Sequence, residues 1–320
     1  MTFLRVGVVR GGKGAEYDVS LKTGGTMLKH MPEGMLAEDI FLGRDSTFYF
    51  RGVPSTLAEI ARKVDVVVNA LHGEYGEDGK FQRELERFGI PYTGSNVYAS
   101  ALAMNKLLAK EHFRNVGLKV PYGIALEATD EPLEDVALRL FRTFPQPSIV
   151  KPVSSGSSIG VRVAHTYPEL LTALHEAFQI SPQVIVEEYI RGKEATVGVV
   201  TGFRGEKGYV LPPIEVKNNK KGVFDYDTKY SADRYIAPGT FSREEKEALM
   251  QHAYMAHSAL DLGQYSRSDF IVSPRGLYIL ETNSLPGFTE HCPMPKGLEA
   301  VGAKMGHFLD HIIKGALGKK

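Results

Sequence analysis

Residues 64–79 read VDVVVNALHGEYGEDG. VDVVVNAL is a β-branched run of the kind that forms a buried strand, and the loop HGEYGEDG ends it. The N-terminal stretch FLRVGVV (3–9) repeats the pattern and runs into the glycines of RGGKG. A helix fits between the two, around residues 56–63. Strand–loop–helix alternation predicts a parallel α/β sheet. Ligands of such sheets gather beyond the carboxyl ends of the strands, where both glycine-rich turns fall. RVGVVRGGKG does not match the dinucleotide fingerprint G-x-G-x-x-G.

The chain has 320 residues, more than one hydrophobic core usually supports, so two or three domains are expected. Its formal net charge is zero, and no basic excess calls for nucleic acid. Cys292 is the one cysteine, which excludes an intramolecular disulfide and a Cys-rich zinc site. The opening MTFLRVGVVRGGKG turns polar too soon for a signal peptide, and no apolar run approaches the roughly 20 residues of a membrane span. A soluble, cytoplasmic protein without a membrane partner is expected.

GIPYTGS (89–95) carries the proline and glycine punctuation of a domain boundary. A helix follows over roughly 97–116. PYGIAL and SIVKP are strands around a helix near 131–143, and PELLTALHEAF (168–178) is a helix with proline at its start. QVIVEEYI (183–190) and ATVGVVTG (195–202) are β-rich. Residues 215–239 are long, polar and aperiodic, as a functional lid is. SREEKEALMQHAYMAHSALDLG (242–263) is a helix with a serine cap. SDFIV and LYILETN are strands joined by the turn SPRG, and a terminal helix starts near 297. The division this implies is 1–96, 97–189 and 190–320, the last carrying the lid loop.

Alternation along a strand puts Arg267 and Asp269 on one face, and Glu281 and Asn283 on one face of the next. A hairpin would bring Asp269, Glu281 and Asn283 together. Hard oxygen ligands without His or Cys suit Mg²⁺; the other reading is a solvated sheet face. In IVKPVSSGSSIG (149–160), Lys151 ends a strand and a serine–glycine loop follows. The lysine precedes the glycines, so this is not a Walker A loop. It is either a surface connector or a nest of N–H groups for an anion. Lys106 and Lys229 are further cations of the kind phosphoryl transfer needs. VIVEEYIRGKE runs from an apolar strand into Glu187, Glu188 and Glu194, which fits an adenine edge and a ribose, or simply a strand end.

Taken in order, these stretches resemble the ATP-grasp ligases and, within them, the D-alanine–D-alanine ligase family. GGKGAEYDVS (11–20) is similar to the family's GG-x-S-x-E-x-x-V-S motif. LHGEYGEDGKFQ (71–82) is similar to HG-x-x-GEDG-x-x-Q, and MNKLLAK (104–110) to the M-[DN]-K helix start. IVKPVSSGSSIG resembles the loop VKP-x-x-x-GSS-x-G, and FDYDTKY (224–230) the centre of the lid. R-x-D, E-x-N and PGFT (286–289) resemble the metal and C-terminal motifs.

The resemblance implies a three-domain α/β protein: a Rossmann-like N-terminal domain followed by central and C-terminal ATP-grasp domains, α+β in the nucleotide-binding part. It implies that Lys106, Lys151, Lys229 and the loop through Ser157 and Ser158 contact ATP phosphates. Glu187, Glu188, Tyr189, Ile190 and Glu194 would line the adenine and ribose site. Asp269, Glu281 and Asn283 would hold two Mg²⁺, or Mn²⁺ in their place. Glu16 would bind the first amino acid's ammonium beside His72. Glu16, Ser157 and Tyr230 would link the N-terminal domain to the closed lid, and Arg267 would stabilise an acyl phosphate and an oxyanion. Gly287, Cys292 and Pro293 would meet the second amino acid. The implied activity is ATP-dependent joining of two D-alanines, and the implied assembly a homodimer.

Several positions depart from the family. Arg83, Ser268 and Thr282 stand where it prefers a small or aliphatic residue, each predicted to point away from the ligands. In FTEHCPMP (288–295), Cys292 replaces a serine whose hydroxyl, with the next N–H, holds the second substrate's carboxylate in the family. A thiol is a weak donor and Pro293 has no N–H. Weaker binding of a second D-alanine, or another acceptor such as D-lactate or D-serine, is one expectation; a compensating backbone shift is the other. A non-catalytic ATP-binding protein is a further alternative, opposed by the intact set of lysines and metal ligands.

Overall fold

A computed structural model of the protein describes residues 3–154, 156, 159–217 and 234–318. They form three sheets. The first contains β1 (Leu4–Gly11), β2 (Met35–Leu42), β3 (Phe48–Phe50), β4 (Val53–Ser55) and β5 (Val66–Asn69), in the order β4-β3-β2-β1-β5. β1 is parallel to both β2 and β5, and β2, β3 and β4 run antiparallel. Val6, Val8, Val66 and Val68 feed a core on one face, and Val9 and Val67 a core on the other. Burial on both faces explains why these strands read as unbroken apolar runs.

Around this sheet lie α1 (Tyr17–Lys29), α2 (Leu57–Ala61) and α3 (Lys80–Arg87). α2 falls where the sequence placed a helix, closed by a Thr56–Glu59 capping box. α1 and the β2–β4 segment were not legible beforehand. α1 hides behind Gly24 and Gly25, which score against a helix. Gly24 is needed because a Cβ there would press on the Arg10 side chain.

α4 (Val97–Met104) and α5 (Lys106–Asn115) replace the single helix expected over 97–116. The break is at Asn105, held extended at ψ 104°, whose Oδ1 accepts the N–H groups of Leu107 and Leu108. A side chain that caps the second helix competes with continuing the first. Lys106 thereby becomes the first residue of α5.

The second sheet has β6 (Gly123–Glu127), β7 (Ser148–Pro152), β8 (Arg162–Ala164) and β9 (Gln183–Glu188), ordered β6-β9-β7-β8, with α6 (Leu133–Thr143) and α7 (Tyr167–Ile180) packed on it. The third has β10 (Lys193–Thr201), β11 (Gly208–Val210), β12 (Ile214–Val216), β13 (Tyr235–Ile236), β14 (Tyr265–Ser273) and β15 (Gly276–Asn283), all antiparallel. β14 and β15 form the expected hairpin. α8 (Arg243–Ala259) carries a Ser242–Glu245 capping box.

The terminal helix expected from about 297 is two helices, α9 (Pro293–Ala300) and α10 (Met305–Leu317), separated at Gly302 with φ +68°. α10 packs Phe308, Leu309, Ile312 and Ile313 into the same core as Val6 and Val66, so the end of the chain closes onto its first sheet. Among the described residues no helix is long and apolar enough to cross a membrane.

Candidate active site

Three glycine-rich stretches that are far apart in sequence meet at Glu16, at the start of α1. Its side chain is buried, and a Cβ on either Gly73 or Gly156 would collide with its Oε2. Only glycine allows such close backbone approach to a carboxylate. Next to it, His72 Nε2 lies 2.9 Å from Thr23 Oγ1, and Nδ1 lies 3.0 Å from Glu77 Oε1. Gly73 N–H donates to the same Glu77 oxygen, and Phe288 N–H to Thr23 Oγ1. This chain fixes the His72 ring and ties the loop at 286–289 to α1. Thr23 and Glu77 were not singled out from sequence, although Glu77 stands inside the HGEYGEDG motif.

The hairpin sets Asp269 opposite Glu281 and Arg267 opposite Asn283. Asp269 accepts Arg267 Nε at 3.0 Å, Arg267 Nη2 at 2.9 Å and Thr196 Oγ1 at 2.6 Å. Burial works against the Arg267 charge, but Asp269 outweighs it and raises the guanidinium pKa above its usual value. Asn283 Nδ2 lies 3.4 Å from Asp269 Oδ2. Lys106 reaches across from α5, its Nζ 3.8 Å from Glu281 Oε2, and burial lowers its pKa while Glu281 opposes. A narrow cavity is lined by Glu77, Lys106, Gly156, Glu281 and Asn283, so the serine–glycine loop, the lysine and the hairpin face one space. Two carboxylates and one amide oxygen, with no nitrogen or sulfur donor, fit a hard divalent cation that keeps room for water and phosphate oxygens.

Lys151, at the end of β7, places Nζ 2.7 Å from Glu187 Oε2. Glu187 was expected to line the adenine and ribose site. In this structure it is fully buried, with Oε1 2.7 Å from Lys110 Nζ. Burial alone would raise its pKa, but Lys110 and Lys151 overcome this and hold it at about 2. The Glu188 side chain accepts from Tyr122 N–H and from Arg275 Nη1, at 3.1 and 2.8 Å. Tyr189 N–H donates to Pro147 O, and Ile190 is buried. Glu194 stands on β10 between Val216 and Ile271. Ser157, Ser158, Lys229 and Tyr230, with the FDYDTKY centre of the lid, lie outside the described residues.

Strand pairing puts Tyr235 on the same sheet face as Glu194, Thr196, Arg267 and Asp269. Burial pushes its phenol up to about 12, with Arg267 opposing. Sequence gave no sign of it, because β13 has only two residues.

Cys292 caps α9 from the N-terminal side without a side-chain bond to the helix. Its Sγ lies 3.0 Å from Thr289 Oγ1, and a Cβ on Gly287 would touch it. Pro293 and Pro295 have no N–H, so Met294 carries the only one in the first three helical positions. Met294 packs on Gly198, the β10 partner of Arg267, which brings this helix end to the same face as the hairpin. A separate groove of about 900 Å³ lies between the end of α1 and α9–α10, with Pro295 and Leu298 in its wall.

Two antiparallel sheets, one ending in Lys151 and the other carrying the carboxylate-bearing hairpin, with an N-terminal sheet that has β1 parallel to both its neighbours, define the ATP-grasp class. A family model described as "D-ala D-ala ligase C-terminus" matches residues 113–314, and one described as "D-ala D-ala ligase N-terminus" matches 44–95. A D-alanine–D-alanine ligase of Geobacter sulfurreducens is 38% identical over 297 residues, 91% of this chain and 87% of that protein. One of Desulfotalea psychrophila is 38% identical over 327 residues, 99% of this chain and 96% of that protein. The solved VanG D-Ala:D-Ser ligase from Enterococcus faecalis superposes with a TM-score of 0.86 at 26% identity, covering 99% of this chain and 100% of its own. The chain belongs to the D-alanine–D-alanine ligase family.

Proposed function

We propose that this enzyme joins two D-alanines to D-alanyl-D-alanine at the expense of ATP, releasing ADP and phosphate, for peptidoglycan precursor synthesis. The observation that carries the reading is the convergence of Lys106, Glu281 and Asn283 with Gly156 around one cavity, with Glu16 packed against that same glycine. A carboxylate is a poor electrophile. Passing the γ-phosphoryl group to it makes an acyl phosphate, which the amine of the second amino acid attacks through a tetrahedral oxyanion.

In this chain Lys106 and Lys151 hold the phosphates. Glu16 takes the first amino acid's ammonium, and the Thr23–His72–Glu77 chain fixes the wall beside it. Arg267, held by Asp269, presents a fixed positive charge to the acyl phosphate and the oxyanion. Asp269, Glu281 and Asn283 would hold two divalent cations, Mg²⁺ in preference to Mn²⁺. These would supply charge neutralisation on the phosphates. The segment 215–239 acts as the lid that excludes water, with Lys229 and Tyr230 closing on the site, and the three units 1–96, 97–189 and 190–320 enclose it. The enzyme works in the cytoplasm as a homodimer.

A second reading concerns the acceptor alone. Cys292, Pro293 and Pro295 leave the α9 end with one N–H, where a carboxylate would want two donors. Every acceptor would then be held less firmly by its carboxylate, and the choice of D-lactate or D-serine over D-alanine would fall to contacts with the rest of the molecule. The test is ADP release with Mg-ATP and D-alanine, with product mass read across a panel of acceptors. ADP with the D-alanyl-D-alanine mass is expected. ADP with a product only from another acceptor selects the second reading, and no ADP under any condition refutes both.

A further inference from the structure

Lys110 is the most deeply buried cation of the cleft, and the mechanism above gives it no task. It follows Lys106 by four residues on α5, so both project from one face of the helix. Its residue exposure is 1%, against 7% for Lys151. The two lysines grip opposite oxygens of Glu187, each at 2.7 Å, and Glu187 itself is wholly buried. One carboxylate thus has two ammonium partners of unequal freedom. Lys151 ends β7, where the serine–glycine loop begins. Lys110 is locked inside a helix that packs on α8 and β15.

We propose that Lys110 is a positioning residue that serves as the permanent counter-ion of Glu187, leaving Lys151 able to turn toward an incoming phosphate without stranding a buried charge. With Lys110 absent, Lys151 would be the sole partner of Glu187. Leaving it would then expose an unpaired buried carboxylate, the costly situation for any buried ion pair. The charge states fit this division. Burial pulls the Lys110 ammonium down to about 8 while Glu187 opposes, and Glu187 sits at about 2, so both are ionised at neutral pH. The inference rests on the reading that Lys151 holds phosphate.

The test compares ATP and adenosine binding by calorimetry, in Mg²⁺, for Lys110→Met, Lys151→Met and the double variant Lys110→Met/Glu187→Gln. Lys110→Met should weaken ATP on the order of 10–100-fold and leave adenosine, which has no phosphate, unchanged. The double variant removes both charges together and should recover ATP affinity to within a few-fold of native. Equal weakness of the single and double variants, or parallel loss of adenosine, would mean that Lys110 only packs the helix. If Lys110→Met does not fold, recovery of the fold in Lys110→Met/Glu187→Gln supports the counter-ion role, because only the unpaired carboxylate was removed in addition, and a double variant that also fails to fold overturns it. Unchanged ATP affinity in Lys151→Met would sink the phosphate assignment of Lys151 and this proposal with it. Weakened ATP in Lys151→Met but not in Lys110→Met would sink the proposal alone.

Discussion

Ser268 and Thr282 face each other across β14 and β15, with their hydroxyl oxygens 2.9 Å apart and both side chains buried. They stand between Arg267 and Asp269, and between Glu281 and Asn283, so alternation turns their side chains to the opposite face of the sheet from those four. Two departures from the family's aliphatic preference are therefore one matched pair. Ser268→Ala leaves the Thr282 hydroxyl without this partner and should destabilise by about 1–2 kcal/mol. Ser268→Ala/Thr282→Val should regain most of it. A urea-unfolding double-mutant cycle measures this, and strictly additive effects would refute the pairing.

His257 lies buried beneath the same sheet, with Nδ1 2.7 Å from Ser266 Oγ and Nε2 3.1 Å from Thr201 Oγ1. Burial lowers its pKa from 6.5 to about 4. Between those values the unfolded chain binds a proton that the native protein does not. Stability should therefore be full above pH 6.5 and fall progressively toward pH 4, by about 3 kcal/mol. Melting temperature against pH, compared with His257→Gln, checks this; the variant's curve should lose that part of the slope.

Asn105 both ends α4 and caps α5. Asn105→Ala should cost about 1 kcal/mol of stability and raise the KM for ATP, because Lys106 is the first residue of the helix so capped. Thermal melts and ADP-release kinetics read the two effects separately. A stability loss with an unchanged KM would detach Lys106 from the cap.

Removal of divalent metal by chelation should stop ADP release, and Mg²⁺ should restore it. Glu281→Gln should lower the rate by at least about 100-fold even in excess Mg²⁺, since one of only two carboxylates is lost. Near-native turnover of that variant would mean that the hairpin is not the metal site.

At the α9 end, Cys292→Ser/Pro293→Leu restores a hydroxyl and an N–H. Its KM for the second amino acid should drop, with the KM for ATP unmoved. Initial rates at saturating ATP measure this, and an unaltered acceptor KM would show that other groups already compensate.

Local pattern made β1, β5, α7, α8 and the β14–β15 hairpin legible, because burial and capping depend on neighbours in sequence. The same period-2 rule correctly placed Arg267 with Asp269 and Glu281 with Asn283. It could not reveal α1 or β13, where glycine at a close contact and a two-residue strand leave no periodic signal. Nor could it show the break at Asn105, which depends on a side chain choosing between two helices.

The sequence by itself determined the α/β class, the hairpin of oxygen ligands and the order of the glycine-rich loops, since these follow from alternation and backbone freedom along the chain. Only the tertiary structure decided that Glu187 is a buried clamp between Lys110 and Lys151, and that Glu16, Gly73 and Gly156 touch. A charge buried at a junction of separate elements takes its partners, and therefore its role, from residues brought near by packing.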